Sequence, residues 1–333
     1  MRVWNRAKLL WGYLARRPTL PALPIDHGQV QPILPDMPAR DPQTAKTDMT
    51  HEVFQHVVRE TRDAAEYMML IGLGEPFMDP AIFDRIEFCH RHSISTLLST
   101  NGTLLDERMA ARVLDSPLSQ ITLSFDCAKK ETYEFYRKGA KFEKVRNNFI
   151  RFARMKRERR SKLQIIVQMV TMERNAAEVS DFIAFWSTIP GVDQLRIKAD
   201  ETNLMSPDVA HPAEHWNNPC HYLWRGPIYV KHNGDVYPCC QSYMLNGTPL
   251  RNVKKRPLVS IWNSEGIERM RRLHGAGRGA EIDVCSRCRT PIPHPALVIG
   301  SIALPGRIVR GLLPWVMSKL ASRLLRAPQR VDS

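Results

Sequence analysis

From Thr50 onward the apolar and polar positions settle into an alternation of two periods. THEVFQHVVRETRD has the spacing of an amphipathic helix, with Thr50 as its N-cap. The apolar run from Tyr67 to Leu73 is short and stops at glycine and proline, so it predicts a buried strand. A helix is expected from about Pro80 to His92. A strand follows from Ser95 to Ser99, ending in Thr100, Asn101 and Gly102. LDERMAARVLD predicts a helix, and SQITLSFD a strand ending in Ser124 and Asp126. Residues 130–138 and 142–158 read as helices. LQIIVQMV predicts a strand, NAAEVSDFIAFWSTI a helix starting at Asn175, and VDQLRIKA a further strand. Strands alternating with helices imply a parallel sheet with right-handed crossovers. Ligands of such sheets sit at the carboxyl ends of the strands. GLGEP (72–76), TNG (100–102), SFD (124–126) and Gln168 all fall at or near such ends.

The pattern changes at both ends of this region. Residues 2–16 predict a short amphipathic helix ending before Pro18. Residues 18–48 are rich in proline and polar side chains and support at most one poor strand, near Gln29 to Leu34. Beyond a polar linker at 199–218, PIYVKHNGDVYPCC predicts a β-hairpin turning at Asn233 and Gly234. SIWNSEGIERMRRLHGAGRG predicts a helix with a glycine-rich end. The expected domains are 1–48, 49–205, 219–291 and a basic, apolar tail at 292–333. No apolar run reaches the length of a membrane span, and no secretory signal is evident, so a cytoplasmic location is expected.

The strand end at Gly72, Leu73, Gly74 and Glu75 is the first place where the pattern suggests chemistry. Glycines allow a ligand close to the backbone, and a carboxylate fixed there can receive a cationic group. A solvated loop end is the plain alternative for Glu75 alone. Composition adds two constraints. With 333 residues, 43% hydrophobic and 25% charged, the chain is an ordinary soluble globular protein long enough for two domains. Its net charge of +14 is not ordinary and favours anionic surroundings. The dense run RFARMKRERRSK (151–162) reads as a solvated helix face. It lacks stacking aromatics beyond Phe152, so nucleic acid is not an expected partner. In the tail, Leu312, Leu313, Trp315, Val316, Leu320 and Leu324 mix with Arg307, Arg310, Lys319, Arg323 and Arg326. That segment suits either an anionic membrane surface or docking on the protein's own body.

The seven cysteines are Cys89, Cys127, Cys220, Cys239, Cys240, Cys285 and Cys288. From Cys220 there are thirteen residues to Gly234 and four more to Cys239, while Cys285 and Cys288 form a CxxC. Four thiolates, two on a hairpin and two in a tight loop, can close a sulfur site for zinc or for an iron–sulfur cluster. Cys240 is an alternative to Cys239, and Cys89 and Cys127 read as core residues.

Taken in order, GLGEP, TNG, SFD, YRKG (136–139), Gln168 and Asn175 resemble the radical S-adenosylmethionine (radical SAM) superfamily. The later cysteines resemble its SPASM or twitch subclass. The resemblance covers roughly residues 50–290. It implies an α/β fold, a partial (β/α)6 barrel followed by a small cluster domain. It also implies S-adenosylmethionine as a cofactor. Gly74 and Glu75 match the motif for its methionine amino group, and Ser124 and Asp126 the ribose or methionine contacts. Thr100 and Asn101 match the neighbouring pocket wall, with Arg137 and Gln168 as carboxylate and wall positions. Cys220, Cys239, Cys285 and Cys288 match the ligands of one auxiliary [4Fe-4S] cluster. The implied chemistry is an oxidoreductase or maturase reaction through a 5′-deoxyadenosyl radical, on a small-molecule or peptide substrate. A ferredoxin or flavodoxin would donate the electron. One departure is plain: the family's CxxxCxxC loop belongs between about Leu23 and Asp48, and the chain has no cysteine there. Gln31, Pro35 and Pro38 stand at its spacing and cannot ligate iron. Two rivals therefore stay open: a cluster-bearing binding or scaffold protein, and a basic zinc protein that binds nucleic acid.

Overall fold

The structure is a computed structural model, and it describes residues 23–24, 49–63, 65, 67–71, 74–199 and 219–288. A parallel sheet of six strands carries the first part of the chain, in the order β1 to β6. The strands are β1 (Leu23–Pro24), β2 (Tyr67–Leu70), β3 (Ser95–Thr100), β4 (Gln120–Ser124), β5 (Gln164–Thr171) and β6 (Gln194–Ala199). Sequential order with every pair parallel requires a crossover after each strand. Helices α1 (His51–Thr61), α2 (Ile82–Arg91), α3 (Glu107–Asp115), α4 (Lys130–Tyr136), α5 (Phe142–Glu158) and α6 (Val179–Trp186) fill those crossovers. This is the expected partial barrel.

The helix ends follow from local chemistry. Thr50 caps α1 by accepting the Val53 N–H on its hydroxyl, as its sequence position predicts. Asp106 does the same for α3 through the Met109 N–H. The longest helix, α5, buries Phe142, Val145, Phe149, Phe152 and Ala153 on one face. Its large side chains each contribute about 1.5–3 kcal/mol. Phe125, directly after β4, packs against Tyr133, Phe142, Phe149 and Trp186 with ring centroids 4.9 to 5.8 Å away. That aromatic cluster pins the carboxyl end of β4.

The two faces of the sheet differ. Met68, Leu70, Leu98, Ile121, Leu123, Ile165 and Val167 are buried beneath the helices. The opposite face carries Tyr67, Ser99, Ser124, Gln168 and Arg196, all half-buried. A polar inner face suits a barrel that holds a ligand rather than a packed plug of side chains.

After residue 219 the chain builds a second, smaller unit. Its helices are α7 (Tyr222–Arg225), α8 (Cys240–Met244), α9 (Leu258–Trp262), α10 (Glu265–Gly275) and α11 (Asp283–Ser286). Its antiparallel sheet has three strands, β7 (Tyr229–Val230), β8 (Asp235–Tyr237) and β9 (Arg251–Asn252). The hairpin turns at Gly234, whose φ of 93° is one that side-chain-bearing residues avoid. Glu60 of α1 accepts the Leu258 N–H at 2.8 Å and ties the unit to the barrel. The helix expected over 260–279 is two helices, because the chain turns at Asn263 and Ser264 and restarts at Glu265.

Several expectations fall on residues outside those described: the helix at 2–16, the poor strand near Gln29 to Leu34, the linker at 200–218 and the tail at 292–333. The first strand that pairs with β2 is instead at Leu23 and Pro24.

Candidate active site

Two polar clamps close the carboxyl ends of the inner strands. The first joins β2 to β3. Glu75 is only 2% exposed. Its Oε1 accepts the Thr100 hydroxyl at 2.7 Å and the Phe77 N–H at 3.4 Å, and its Oε2 accepts the Asn101 N–H at 2.8 Å. Thr100 in turn accepts the Gly102 N–H at 3.1 Å. Gly102 has φ 74°, and a Cβ there would lie 2.0 Å from the Phe149 ring, so TNG admits only glycine at its third place. The Asn101 side chain accepts both the N–H and the hydroxyl of Thr103 and so shapes the same turn. Burial raises the Glu75 pKa above the ordinary carboxylate value. The donated hydrogen bonds and the charge of Arg137 oppose that rise without cancelling it.

The second clamp joins β4, β5 and α4. Asp126 is fully buried at φ 52°, a left-handed turn that Asp tolerates better than most residues. Its Oδ1 accepts the Val170 N–H at 2.9 Å, and its Oδ2 takes a two-point contact from Nε and Nη2 of Arg137. Arg137 Nη2 also donates to the Ser124 hydroxyl at 2.9 Å. Burial alone would lower the Arg137 pKa, but the Asp126 carboxylate more than restores it, and the net shift is upward. Arg137 Nη1 has no partner among the described residues. Because Arg137 acts on Glu75 electrostatically, the two clamps border one mouth. Gln168 sits beside Ser124 in register, and its carboxamide oxygen accepts from Arg196 at 3.4 Å.

Six of the eight sequence-predicted pocket residues therefore form the clamps: Glu75, Thr100, Asn101, Ser124, Asp126 and Arg137. Gly74 lies next to Glu75, and Gln168 forms the inner wall. Sequence reasoning takes Asp126 as a ligand contact, whereas both of its oxygens serve protein partners. Other residues escape sequence reasoning. Asn175, read as a helix start and as the last member of the ordered motif set but given no site role, is fully buried and donates to the carbonyls of Asp126 and Val170 while accepting the Met172 N–H. Glu178 accepts the N–H groups of Ala128 and Lys129 just before α4. Asn148 donates to the Gly102 carbonyl and fixes the TNG turn.

The second unit gathers the later cysteines. Cys239 is under the electrostatic influence of Cys220, Cys240 and Cys285, and Cys220 under that of Cys288. Burial pushes the Cys220 thiol up to about 12 and raises the Cys239 and Cys285 thiols as well. Buried thiols held together this way gain most from a cation that lets them ionise. Among the described residues no three His, Cys, Asp or Glu side chains close on a point that would hold one metal ion. A donor set made only of thiols suits a [4Fe-4S] cluster as it does zinc. No comparable cysteine set stands by Glu75. Cys89 lies in the core with its sulfur 3.7 Å from that of Met68, and Cys127 is fully buried under Asn175.

Residues 38–185 match the family model of the Radical SAM superfamily. Residues 220–289 match that of SPASM, an iron–sulfur cluster-binding domain. This chain is a radical SAM/SPASM protein. The two domains imply S-adenosylmethionine and [4Fe-4S] clusters as cofactors, and the SPASM match decides for iron–sulfur over zinc at the cysteines. Among solved structures, the fold is similar to SuiB of Streptococcus suis bound to S-adenosylmethionine. The TM-score is 0.56 and the identity 12%, covering 82% of this chain and 73% of that one. It is also similar to anSMEcpe with bound AdoMet, with a TM-score of 0.58 and 17% identity over 76% of this chain and 83% of that one. An AdoMet-dependent heme synthase of Methanosarcina barkeri is 23% identical over 90 residues, 27% of this chain and 26% of that protein. A mycofactocin maturase of Mycobacterium ulcerans is 26% identical over 88 residues, 26% of this chain and 24% of that protein. The radical SAM/SPASM chain thus spans only about a quarter of the length of these curated relatives.

Proposed function

We propose that this protein serves radical SAM/SPASM oxidoreductase or maturase chemistry on a small-molecule or peptide substrate. The observation that carries the reading is the pair of clamps on adjoining strand ends, with a thiol set in a docked second unit. Gly74 and Glu75 would hold the methionine amino group of S-adenosylmethionine. Ser124 and Nη1 of Arg137, which has no partner among the described residues, suit its hydroxyl and carboxylate oxygens, and Thr100, Asn101 and Gln168 form the wall. Asp126 is a positioning residue that acts through Arg137. Cys220, Cys239, Cys285 and Cys288 would hold one [4Fe-4S] cluster. S-adenosylmethionine supplies a hydrogen-abstracting radical when reduced by one electron, for which a ferredoxin or flavodoxin is the expected donor. The heme synthase and mycofactocin maturase names, and a SuiB structure bound to the precursor peptide SuiA, support this substrate range.

A second reading has its own observation. The chain has no cysteine before Cys89, so its own residues do not account for reductive cleavage. On this reading the protein binds S-adenosylmethionine and a cluster without cleaving the nucleotide. Anaerobic reconstitution separates the two. About eight irons per chain with 5′-deoxyadenosine formed under reductant supports the enzyme, and about four irons with no cleavage supports the binding protein. The basic tail adds a membrane contact to either reading. Liposome flotation should weaken when residues 292–333 are deleted, and unchanged flotation removes that contact.

A further inference from the structure

Ser124, Gln168 and Arg196 stand side by side in register on β4, β5 and β6. The row has a guanidinium at each end. Arg137 joins the Ser124 hydroxyl, and Arg196 Nη1 donates to the Gln168 carboxamide. The two ends differ in charge balance. Arg137 is neutralised by Asp126. Arg196 has no carboxylate partner among the described residues. Its neighbours are Gln168, at a long 3.4 Å, and the Tyr67 phenol, whose electrostatic influence reaches it.

Tyr67 is on β2, four strands away in the sheet order. Register places both side chains on the sheet's polar face, and an electrostatic influence between them spans the strands that separate them, so Arg196 faces the space inside the barrel. There it is a partly desolvated cation, and burial pulls its pKa below the ordinary value. Lys198, two residues on, occupies the same face at the exposed rim and pairs in register with Val170. The alternate positions of β6 are the apolar Leu195, packed on the core, and Ile197. A solvated edge strand gains nothing from placing its arginine on the inner side.

We propose that Arg196, with Lys198 beside it, receives a carboxylate or phosphate group of the substrate inside the barrel. The guanidinium fork matches either group with two parallel hydrogen bonds, and Gln168 holds the fork in the plane of the row. The proposal rests on the reading of the mouth as the S-adenosylmethionine pocket. The methionine carboxylate is the same chemistry from a second source, and the test separates the two.

The full-length, iron-loaded protein is titrated anaerobically with S-adenosylmethionine, with its decarboxylated analogue, and with inorganic pyrophosphate. Pyrophosphate should bind the wild type whether or not S-adenosylmethionine is present. Arg196→Gln should weaken pyrophosphate at least tenfold while changing S-adenosylmethionine affinity less than twofold. Arg196→Lys, which keeps charge and bulk but loses the fork, should fall between them and guards against a variant that fails to fold. No pyrophosphate binding by the wild type, or equal binding by wild type and variant, overturns the site. A tenfold loss of S-adenosylmethionine in Arg196→Gln, with the decarboxylated analogue unaffected, also overturns it, because Arg196 then belongs to the nucleotide. Pyrophosphate binding through Arg196 without any S-adenosylmethionine binding sinks the pocket reading and leaves the anion site standing.

Discussion

The barrel mouth and the cysteine unit solve the same problem, buried polar groups, in opposite ways. At the mouth the partners are protein. Glu75 is held by Thr100 and Asn101, Asp126 by Arg137, and Asn175 by three backbone groups. In the cysteine unit burial raises the thiols' pKa values, neighbouring thiols add to the rise, and only a few backbone N–H groups oppose it. The mouth is therefore preorganised before a ligand arrives. The cysteine unit, with strands of two or three residues, has few backbone pairings of its own and depends on what its thiols bind.

The strongest way to break that contrast is to remove the iron. Cys285→Ala should lower iron by about four per chain, the content of one [4Fe-4S] cluster, and a chelator should lower it to near none. Amide hydrogen exchange should then lose protection in β7, β8 and β9, while β3, β4 and β5 keep theirs. Equal loss in both regions would mean that the cluster organises the whole molecule. The exception expected on structural grounds is α1, which faces α9 through the Glu60 to Leu258 hydrogen bond.

Next in size is the ion pair of the second clamp. Asp126→Asn keeps the shape and tolerates the left-handed backbone, but leaves Arg137 without its counter-charge. Asp126 is fully buried and the Arg137 side chain 13% exposed. Breaking such a pair costs about 3–5 kcal/mol, readable as a lower urea midpoint. A change below about 1 kcal/mol would show that the mouth does not depend on this pair.

How much of this was visible in the sequence depends on where the causes lie. The α/β alternation was legible because each element carries its own period, and α5 has the boundaries its pattern predicts, residues 142–158. The strand ends were legible as places but not as contacts. Nothing local to Glu75 says that Thr100 and Asn101 will take its oxygens, since those bonds exist only once β2 and β3 align. Strand β9 was missed because two polar residues, Arg251 and Asn252, have no period at all. Lys156 was read as part of a solvated basic face. It is buried instead, pairing with Asp193 and donating to the Gly191 carbonyl across 35 residues. Arg196 escaped for a related reason: an arginine in a short alternating strand reads as the wet side until the sheet curls.

Glu75 gives a smaller and more specific test of the mouth. Its folded pKa is raised, so the folded state holds this proton more tightly than the unfolded chain does. Its favourable contribution is complete below the ordinary carboxylate value and is lost as pH rises through the raised folded value. Glu75→Gln cannot ionise. The stability of wild type relative to Glu75→Gln should therefore fall as pH climbs from the ordinary carboxylate range towards neutrality. At neutral pH the net change should stay within about 1 kcal/mol, since relief of a buried charge offsets a lost acceptor. A difference that stays flat with pH would mean that the hydrogen bonds fully cancel the burial.

The smallest expected effect separates two adjacent thiols. Cys239 precedes α8, and its sulfur accepts the Ser242 N–H at 3.4 Å, a contact that favours the ionised form. It feels Cys240, Cys220 and Cys285, and Cys240 also acts on Cys220, so both adjacent thiols stand by the set. Cys240 is the first residue of α8 and follows the spaced pattern of Cys220, Gly234 and Cys239 by one position. If Cys239 is the ligand, Cys240→Ala should keep the wild-type iron content and visible absorption, while Cys239→Ala should lose about four irons per chain and the absorption that goes with them. Equal iron loss in the two variants would mean that the thiols share the site. Loss in Cys240→Ala alone would move the ligand by one residue, and with it the account of how the hairpin presents sulfur to the cluster.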